Sequence, residues 1–490
     1  MITRIQEKYP KALLWGGLLT FVALNTVMLW MEIFYVPLLP AFLLFVILAL
    51  VAVDKYLLTI VFFVPLSVPL SRLAEGLVID MYLPTEPLLA GLLLLYMLKY
   101  LMGERIDLRV LKHPVTLAIL FHLAWLFIVS LTSTDPLVSF KFLITRLWFI
   151  VGFYLLGTEI FKKEKNMHRY AWLFIIAFTG VVIFTLINHA QYGLNNQVMA
   201  HRVSLPFYKD HTSYGATLGF VIPVLVGFFF LIKRENGNMR FLMSLLILLI
   251  VFATVVSYTR ATWISILASM GVWAILKLKI RFEIVLVGAI IVVAFFFSVR
   301  SQIMVELEQN RVESSGELSE HVQSMSNIST DQSNLERINR WSCALRMWKD
   351  KPLFGFGPGT YQFEYGRYQR SYEKTRISTD FGTMGTAHSE YFGPLSEAGI
   401  FGLVSILLVV GSTLVTGIRV YYTSQKRSIR IFSLAILIGL SSYYFHGLLN
   451  NFLDTDKISV LFWGYTAMLV AMDIYHRDTR EENSKEELTT

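Results

Sequence analysis

Long, uninterrupted apolar runs constrain this chain more than any other feature. The 490-residue sequence repeats stretches of about 18 to 22 mostly apolar residues, and each could cross a hydrocarbon core roughly 30 Å thick as a helix. Runs such as 242–257 and 284–297 do not alternate between apolar and polar residues, which excludes a membrane β-barrel. We therefore predict an all-α polytopic membrane protein with roughly 12 to 14 transmembrane helices and a large, partly helical outer-face loop.

Composition supports this class and narrows the chemistry. Only 16% of the residues are charged, against about 25% in average soluble proteins. The single cysteine, Cys343, excludes an intramolecular disulfide and a cysteine-based metal site. The net charge of +8 comes from Lys and Arg in short connections between apolar runs, so it indicates membrane orientation rather than nucleic-acid binding.

The distribution of Lys and Arg predicts the topology. Every second connection is basic when the N-terminus is placed inside, so both termini are expected in the cytoplasm. The 189–212 loop, the 258–261 corner and the 300–397 insert then face outward. The predicted spans lie near 12–30, 34–53, 56–70, 86–102, 114–132, 142–161, 170–188, 213–232, 241–258, 261–277, 282–299, 398–418, 430–447 and 458–474.

This topology divides the chain into four regions. Residues 1–299 hold the N-terminal transmembrane helices, 300–397 form an outer-face lid loop, 398–475 hold the C-terminal transmembrane helices, and 476–490 form a cytoplasmic tail. The lid loop interleaves Arg with Trp and Tyr, which favours anionic lipid or sugar as a partner and no nucleic acid. Arg337, Arg340 and Trp341 share a helical face there, which predicts an amphipathic helix lying on the membrane.

Three residues in the outer segments suggest chemistry. Arg260 lies between two apolar runs with almost no loop, so it should face a polar cavity, a partner or the membrane interface. Arg202 lies in a polar loop, and a loop that is simply exposed to solvent would also contain such residues. His388 precedes the last group of spans, and histidine is suited to proton transfer near neutral pH, although a structural histidine is the simpler interpretation. Glu390 and Glu397 follow it and could be charges at a helix start.

Two further patterns are set aside. The segment GFGPGTY at 355–361 lacks the spacing of a dinucleotide site and is better explained as a tight turn that approaches another backbone. Asp454 and Asp456 resemble a carboxylate pair that holds a metal–nucleotide sugar, but the predicted topology places them outside the cell.

The segments YTRATW, RINRWSCALRMWKDKPLFGFGPGTYQF and AHSEYFGPLSEAGIFGL together resemble the O-antigen ligase and O-antigen polymerase superfamily. The resemblance covers about residues 200 to 475. It implies a glycosyltransferase in the bacterial cytoplasmic (inner) membrane, with its active site facing the periplasm. The donor would be a glycan on undecaprenyl pyrophosphate, and the acceptor a lipid or glycan.

The resemblance also implies roles for individual residues. His388 matches the family histidine that is thought to activate the acceptor hydroxyl, and Arg260 and Arg202 match arginines thought to bind the donor pyrophosphate. Arg337, Arg340, Glu390 and Glu397 are possible accessory residues. Ser389 stands where the family often has Asn, and Lys209-Asp210-His211 replaces a frequent proline–asparagine pair.

Arginine and a general base would suffice for this chemistry, because pyrophosphate leaves readily once its charge is neutralised. We therefore predict no metal and no cofactor. We favour a ligase acting on lipid A–core over a repeat-unit polymerase, because the Arg- and aromatic-rich lid suits a phosphorylated, sugar-rich acceptor. A polysaccharide transporter or flippase is the less favoured alternative, because such proteins usually place unusual residues near the membrane midplane.

Overall fold

The computed structural model describes residues 26, 51–72, 81–103, 105–281, 283–288, 290–291, 294–295, 298, 332–374, 378 and 385–477. The chain divides into two compact units, Met1–Thr59 and Ile60–Thr490. The second unit contains nearly all the described residues, and the candidate site lies within it. The four regions predicted from the sequence are defined by membrane topology, whereas these two units are defined by compactness. The units therefore do not test the boundaries of the four regions, which stay a prediction.

Helices dominate the described residues. The longer ones, numbered in chain order, are α1 Val53–Phe63, α2 Thr85–Leu101, α3 Pro114–Leu131, α4 Pro136–Phe149, α5 Glu164–Gln191, α6 His211–Leu231, α7 Gly237–Val256, α8 Arg260–Lys277, α9 Gln332–Asp350, α10 Phe392–Thr423, α11 Arg427–His446 and α12 Asp456–Ala471. The shorter helical segments are Val64–Leu66, Leu70–Arg72, Leu108–Leu111, Ile150–Leu155, Leu156–Ile160, Gln197–Ala200, Tyr361–Glu364, Tyr365–Tyr368, Ser371–Glu373 and Met472–His476. Strands Val68–Pro69 and Tyr82–Leu83 pair antiparallel.

The predicted fold class is confirmed. Among the described residues, eight helical segments are long and apolar enough to cross a membrane. The predicted spans at 12–30 and 34–53 lie almost wholly outside the described residues, so the count of 12 to 14 stays a prediction. The predicted span at 56–70 is wrong in its extent, because α1 ends at Phe63 and a short helical turn and a strand follow. Pro65 and Pro69 explain the break, since proline cannot donate the backbone hydrogen bond that a helix interior needs.

Local sequence signals fix where several helices begin. Pro136 occupies the first turn of α4, and the Asp135 side chain accepts a hydrogen bond from the Val138 amide. Asp210 caps α6 by accepting hydrogen bonds from the Thr212 and Ser213 amides at 2.8 and 2.9 Å. Such caps satisfy amides that have no partner within the helix. The start of α6 is therefore firmly placed, and it lies beside the candidate site.

Hydrogen bonds join several of the connections at one end of the helices. Thr134, between α3 and α4, donates its amide to the Phe356 carbonyl at 2.8 Å, and the Glu390 amide donates to the Gly447 carbonyl at the same distance. At the start of α8, the Thr259 hydroxyl donates to the His211 carbonyl at 3.0 Å. These contacts join the segments that the charge distribution predicts on one side of the membrane.

Candidate functional site

The described residues of 332–391, named the lid here, dock on this end through their own small core. Cys343, Ala344 and Met347 on α9 pack with Phe356, Tyr361, Tyr365 and Ala387, all buried. Arg340 on the same helix is only 4% exposed. The expectation that the Arg340 face of this helix lies on the membrane surface is therefore wrong. The helix is amphipathic, but this arginine points into the protein because buried acceptors are available there.

Two glycines let the lid backbone lie against α10. A Cβ at Gly355 would fall 2.4 Å from the Glu397 carbonyl carbon, and a Cβ at Gly399 would fall 2.0 Å from the Leu353 carbonyl oxygen. Gly399 also has φ 67° and ψ −165°, a conformation open essentially to glycine alone. The GFGPGTY turn thus approaches another backbone closely, as its sequence suggests.

Glu390 and Glu397 bind backbone amides in this structure. The Glu397 carboxylate accepts the Tyr361 amide at 2.9 Å. The Glu390 carboxylate accepts the Phe452 and Leu453 amides, both at 2.8 Å. Burial, followed by the negative charge of Asp454, raises the pKa of Glu390 to about 7. Both glutamates therefore hold loops in place, a role that differs from the expected charge at a helix start.

Residues 385–390, named the strap here, lie near the end of the lid and carry His388 just before the start of α10. His388 has φ 48°, which is uncommon for a residue other than glycine and indicates local strain. The hydroxyl of Ser389 accepts the Tyr391 and Phe392 amides at 3.2 and 3.4 Å. Ser389 therefore holds the turn that leads into α10, a function that an Asn at this position could also perform.

Arginines surround His388. The guanidinium of Arg340 donates to the Thr386 carbonyl of the strap at 3.2 Å and to Glu336 at 2.7 Å. The guanidinium of Arg337 donates to the Leu449 carbonyl at 3.1 Å. Arg337 also acts electrostatically on both His388 and Arg260. Arg337 is therefore near both Arg260 and His388, and Arg340 contacts the strap; these three arginines are named the arginine cluster here.

Helix starts add to the positive potential near Arg260. Gly215 in α6 lies against Thr259 and Thr262, where a Cβ would fall 2.5 to 2.8 Å from their side chains. The N-termini of α6 and α8 are therefore packed together beside Arg260. A helix N-terminus carries partial positive charge and favours anions. Asp210 is the opposing charge, since it acts electrostatically on Arg337 and His388.

The pKa of His388 is lowered to about 3 by burial, then by the positive charges of Arg337 and Arg340, against the opposing effect of Asp210. Its imidazole is therefore neutral at physiological pH, the protonation state that a general base needs. Among the described residues, no hydrogen bond is made to either ring nitrogen. The geometry thus presents a neutral imidazole beside a site for negative charge.

Arg202 occupies a different position from the other predicted arginine. It is exposed, and its described contacts are backbone hydrogen bonds within its own turn. The neighbouring His201 ring stacks on His211 with 3.8 Å between centroids, which places this turn next to the start of α6. Arg337 is near both Arg260 and His388, whereas the described contacts of Arg202 stay within its own turn.

A cavity of about 200 Å³ opens beside the strap. Arg146 contributes to its lining and is held by the Leu453 carbonyl at 2.9 Å and the Asp454 carboxylate at 2.6 Å. Arg146 is not among the residues predicted from the sequence, although an arginine inside a predicted span is a usable signal. Asp454, set aside on the sequence alone, is the partner of Arg146 in the structure.

The acidic and histidine side chains of the described residues can be checked for a metal site. Within the part of the chain that the structure describes, no group of three or more His, Cys, Asp or Glu side chains is arranged to hold a metal ion. Asp456, which the sequence pairs with Asp454, instead accepts hydrogen bonds from Ser67 and Thr85, both at 2.6 Å. The two aspartates therefore have different partners, and metal independence stays a prediction.

Comparison with known proteins finds a match in the middle of the chain. A family model described as O-antigen ligase matches residues 245–407. The matched range contains Arg260, the arginine cluster, the strap and the glycine contact between the lid and α10, whereas Arg202 lies before it. No curated protein matches the chain.

Proposed function

Residues 245–407 place this chain in the O-antigen ligase superfamily, and on that premise we propose that it is a lipid-linked glycosyltransferase. It moves a glycan from undecaprenyl pyrophosphate to a hydroxyl of an acceptor sugar, on the outer face of the bacterial cytoplasmic membrane. The observation that carries the proposal is the position of His388 on a strap that Arg340 contacts directly, beside the arginine cluster. The proposed reaction needs these two features, a base and a pyrophosphate site, next to each other.

The arginine cluster suits the donor. Arginine stays charged at any relevant pH and binds phosphate oxygens with paired N–H groups. Arg260 and Arg337 repel each other in the absence of an anion, so a pyrophosphate between them would relieve that repulsion. The N-terminus of α8 would add to the binding, whereas Asp210 already caps that of α6.

His388 would then act on the acceptor. The acceptor oxygen attacks the anomeric carbon of the donor sugar, the bond from that carbon to the pyrophosphate oxygen breaks, and the hydroxyl proton moves to the imidazole. Undecaprenyl pyrophosphate leaves with the bonding electron pair. A bound pyrophosphate would offset the charges of Arg337 and Arg340, which lower the pKa of His388, so donor binding would make the imidazole a stronger base.

We favour a ligase that uses lipid A–core over a repeat-unit polymerase. The lid supports this choice through its basic and aromatic side chains, such as Arg367, whose side chain is 79% exposed, and Phe363, which is 53% exposed. Such groups suit a phosphorylated and sugar-rich acceptor. A polymerase would join two lipid-linked repeats with the same base and the same arginines.

A deletion strain tests the proposal and separates the two reactions. Loss of a ligase leaves long polymer on the lipid carrier, whereas loss of a polymerase leaves single repeats attached to the core. Complementation with Arg260→Ala should fail, and the matched control Arg281→Ala, at an exposed position outside the lid, should restore the wild-type glycan. A strain whose surface and carrier-linked glycans are unchanged by the deletion would refute both reactions.

A further inference from the structure

The residues that line the cavity beside the strap do not include the arginine cluster, although Arg340 donates to the carbonyl of Thr386 in the cavity wall. Thr386, Ala387, Ser389 and Glu390 line it, so its wall includes residues on both sides of His388. His388 itself does not line the cavity. The residues whose charges act on His388, namely Arg337, Arg340 and Asp210, do not line it either. The strap thus contributes to two neighbouring sites with different chemistry.

Charge distinguishes the cavity from a phosphate site. Arg146 is the arginine in the described lining, and it is already paired with Asp454. Glu390 and Glu397 add two more acidic side chains to the wall. A phosphate would meet this acidic lining and compete with Asp454 for Arg146, so an uncharged ligand is better matched.

The remaining lining matches a sugar. The Phe142 ring lies at the wall, where it can pack against the C–H face of a pyranose. The side-chain amides of Gln362 and Asn451 each offer both donors and acceptors, as hydroxyl groups require. The volume of about 200 Å³ is below the roughly 300 Å³ at which pockets for drug-sized ligands begin, so it suits one ring rather than an oligosaccharide.

We propose that this cavity binds one uncharged sugar ring of the acceptor, next to the strap that carries His388. The assignment to the acceptor rests on the proposed glycosyltransferase function, whereas the sugar-binding property rests on the lining itself. The acceptor ring and the donor pyrophosphate would thus occupy separate sites at the two sides of the strap. Gln362, Asn451 and Phe142 would determine which acceptor sugar is accepted.

Direct binding provides the first test. The full-length chain is purified into lipid nanodiscs, and saturation-transfer NMR is recorded with D-glucose, D-galactose and N-acetyl-D-glucosamine. We expect at least one of these sugars to bind wild type and to lose its signal in the double variant Gln362→Ala/Asn451→Ala. Binding of inorganic pyrophosphate, measured by calorimetry, should be the same in both proteins.

Two further variants keep the test independent of folding. Gly393 lines the cavity, and a Cβ there meets nothing nearer than Ala387 at 3.9 Å. Gly393→Met should therefore occupy the cavity without removing a polar contact, and it should also abolish sugar binding. Asn195→Ala, at an exposed position outside the cavity, is the matched control and should bind as wild type does. Absence of sugar binding in wild type, or equal sugar signals from wild type and both cavity variants, would overturn the proposal.

Kinetics then connect the cavity to the acceptor. The double variant should raise the KM for the acceptor at least tenfold and leave the KM for the donor within twofold. A tenfold rise in the donor KM instead would assign the cavity to the donor and overturn the acceptor assignment. If wild type bound a monosaccharide but transferred no glycan, the proposed function would fail and the sugar site would stand.

Discussion

The guanidinium of Arg340 donates a hydrogen bond at 3.2 Å to the carbonyl of Thr386, two residues before His388. The same guanidinium is held by Glu336 at 2.7 Å and lies over the Tyr365 ring, 4.8 Å from its centroid. Arg340 therefore ties the strap to α9 and contributes positive charge near the imidazole. A single side chain thus helps determine both the position of His388 and its affinity for a proton.

The rate of transfer should depend little on His388 ionisation between about pH 5 and 8. Burial and the charges of Arg337 and Arg340 lower the pKa of His388 to about 3, so the imidazole stays neutral until the pH falls well below 6.5. Arg337→Gln removes a positive charge and should move the acidic limb of kcat/KM to higher pH. Initial rates at low donor concentration, where the free enzyme predominates, check this, and a wild-type limb near pH 6.5 would contradict it.

Replacing His388 should abolish transfer without preventing donor binding. We expect His388→Asn to lose roughly 100-fold or more in kcat, the range typical of a lost general base. Asn tolerates the left-handed backbone that His388 adopts, so this variant removes the base with little added strain. His388→Ala should be equally inactive but less stable. Normal transfer by the Asn variant would make the histidine structural.

Arg260→Lys should be nearly as damaging as Arg260→Ala. A lysine keeps the charge but loses the planar pair of donors, so we expect roughly a 10- to 100-fold loss in kcat/KM for the donor. Arg281→Lys, at an exposed position outside the lid, is the control and should stay near wild type. Transfer should persist in EDTA. Full activity of Arg260→Ala would indicate that this residue only reaches the membrane interface.

Gly399→Ala should lower stability by roughly 1 to 3 kcal/mol. The added methyl group would fall 2.0 Å from the Leu353 carbonyl oxygen, and the backbone conformation strongly disfavours any Cβ. Gly411→Ala on the same helix is the matched control, because nothing lies within 4 Å of its Cβ. Thermal unfolding of both variants measures the difference, and equal melting temperatures would be inconsistent with this close packing.

Cysteine labelling should place the site on the outer face. We expect Asn195→Cys to react with an impermeant maleimide added outside intact cells, and Arg281→Cys to react only after the cells are opened. Both positions are exposed. The reverse pattern would invert the predicted topology and rule out a periplasmic active site.

The sequence predicted the helical class and the motif-bearing residues, because apolar periodicity and local motifs are visible along the chain. The roles of Glu390 and Glu397 were harder to foresee. Their partners lie at Phe452 and at Tyr361, and only the folded chain brings these amides to the carboxylates. Arg146 was missed for the same reason, because its partner Asp454 is more than 300 residues away.

The lid core also has a practical consequence for chemical labelling. Cys343 is the chain's single cysteine, and its side chain is fully buried. Burial also raises the pKa of this thiol, which keeps it in the less reactive protonated form. The native chain should therefore react slowly with maleimides as it stands. Probes for distance measurements can then be attached at a chosen position without first removing the native thiol.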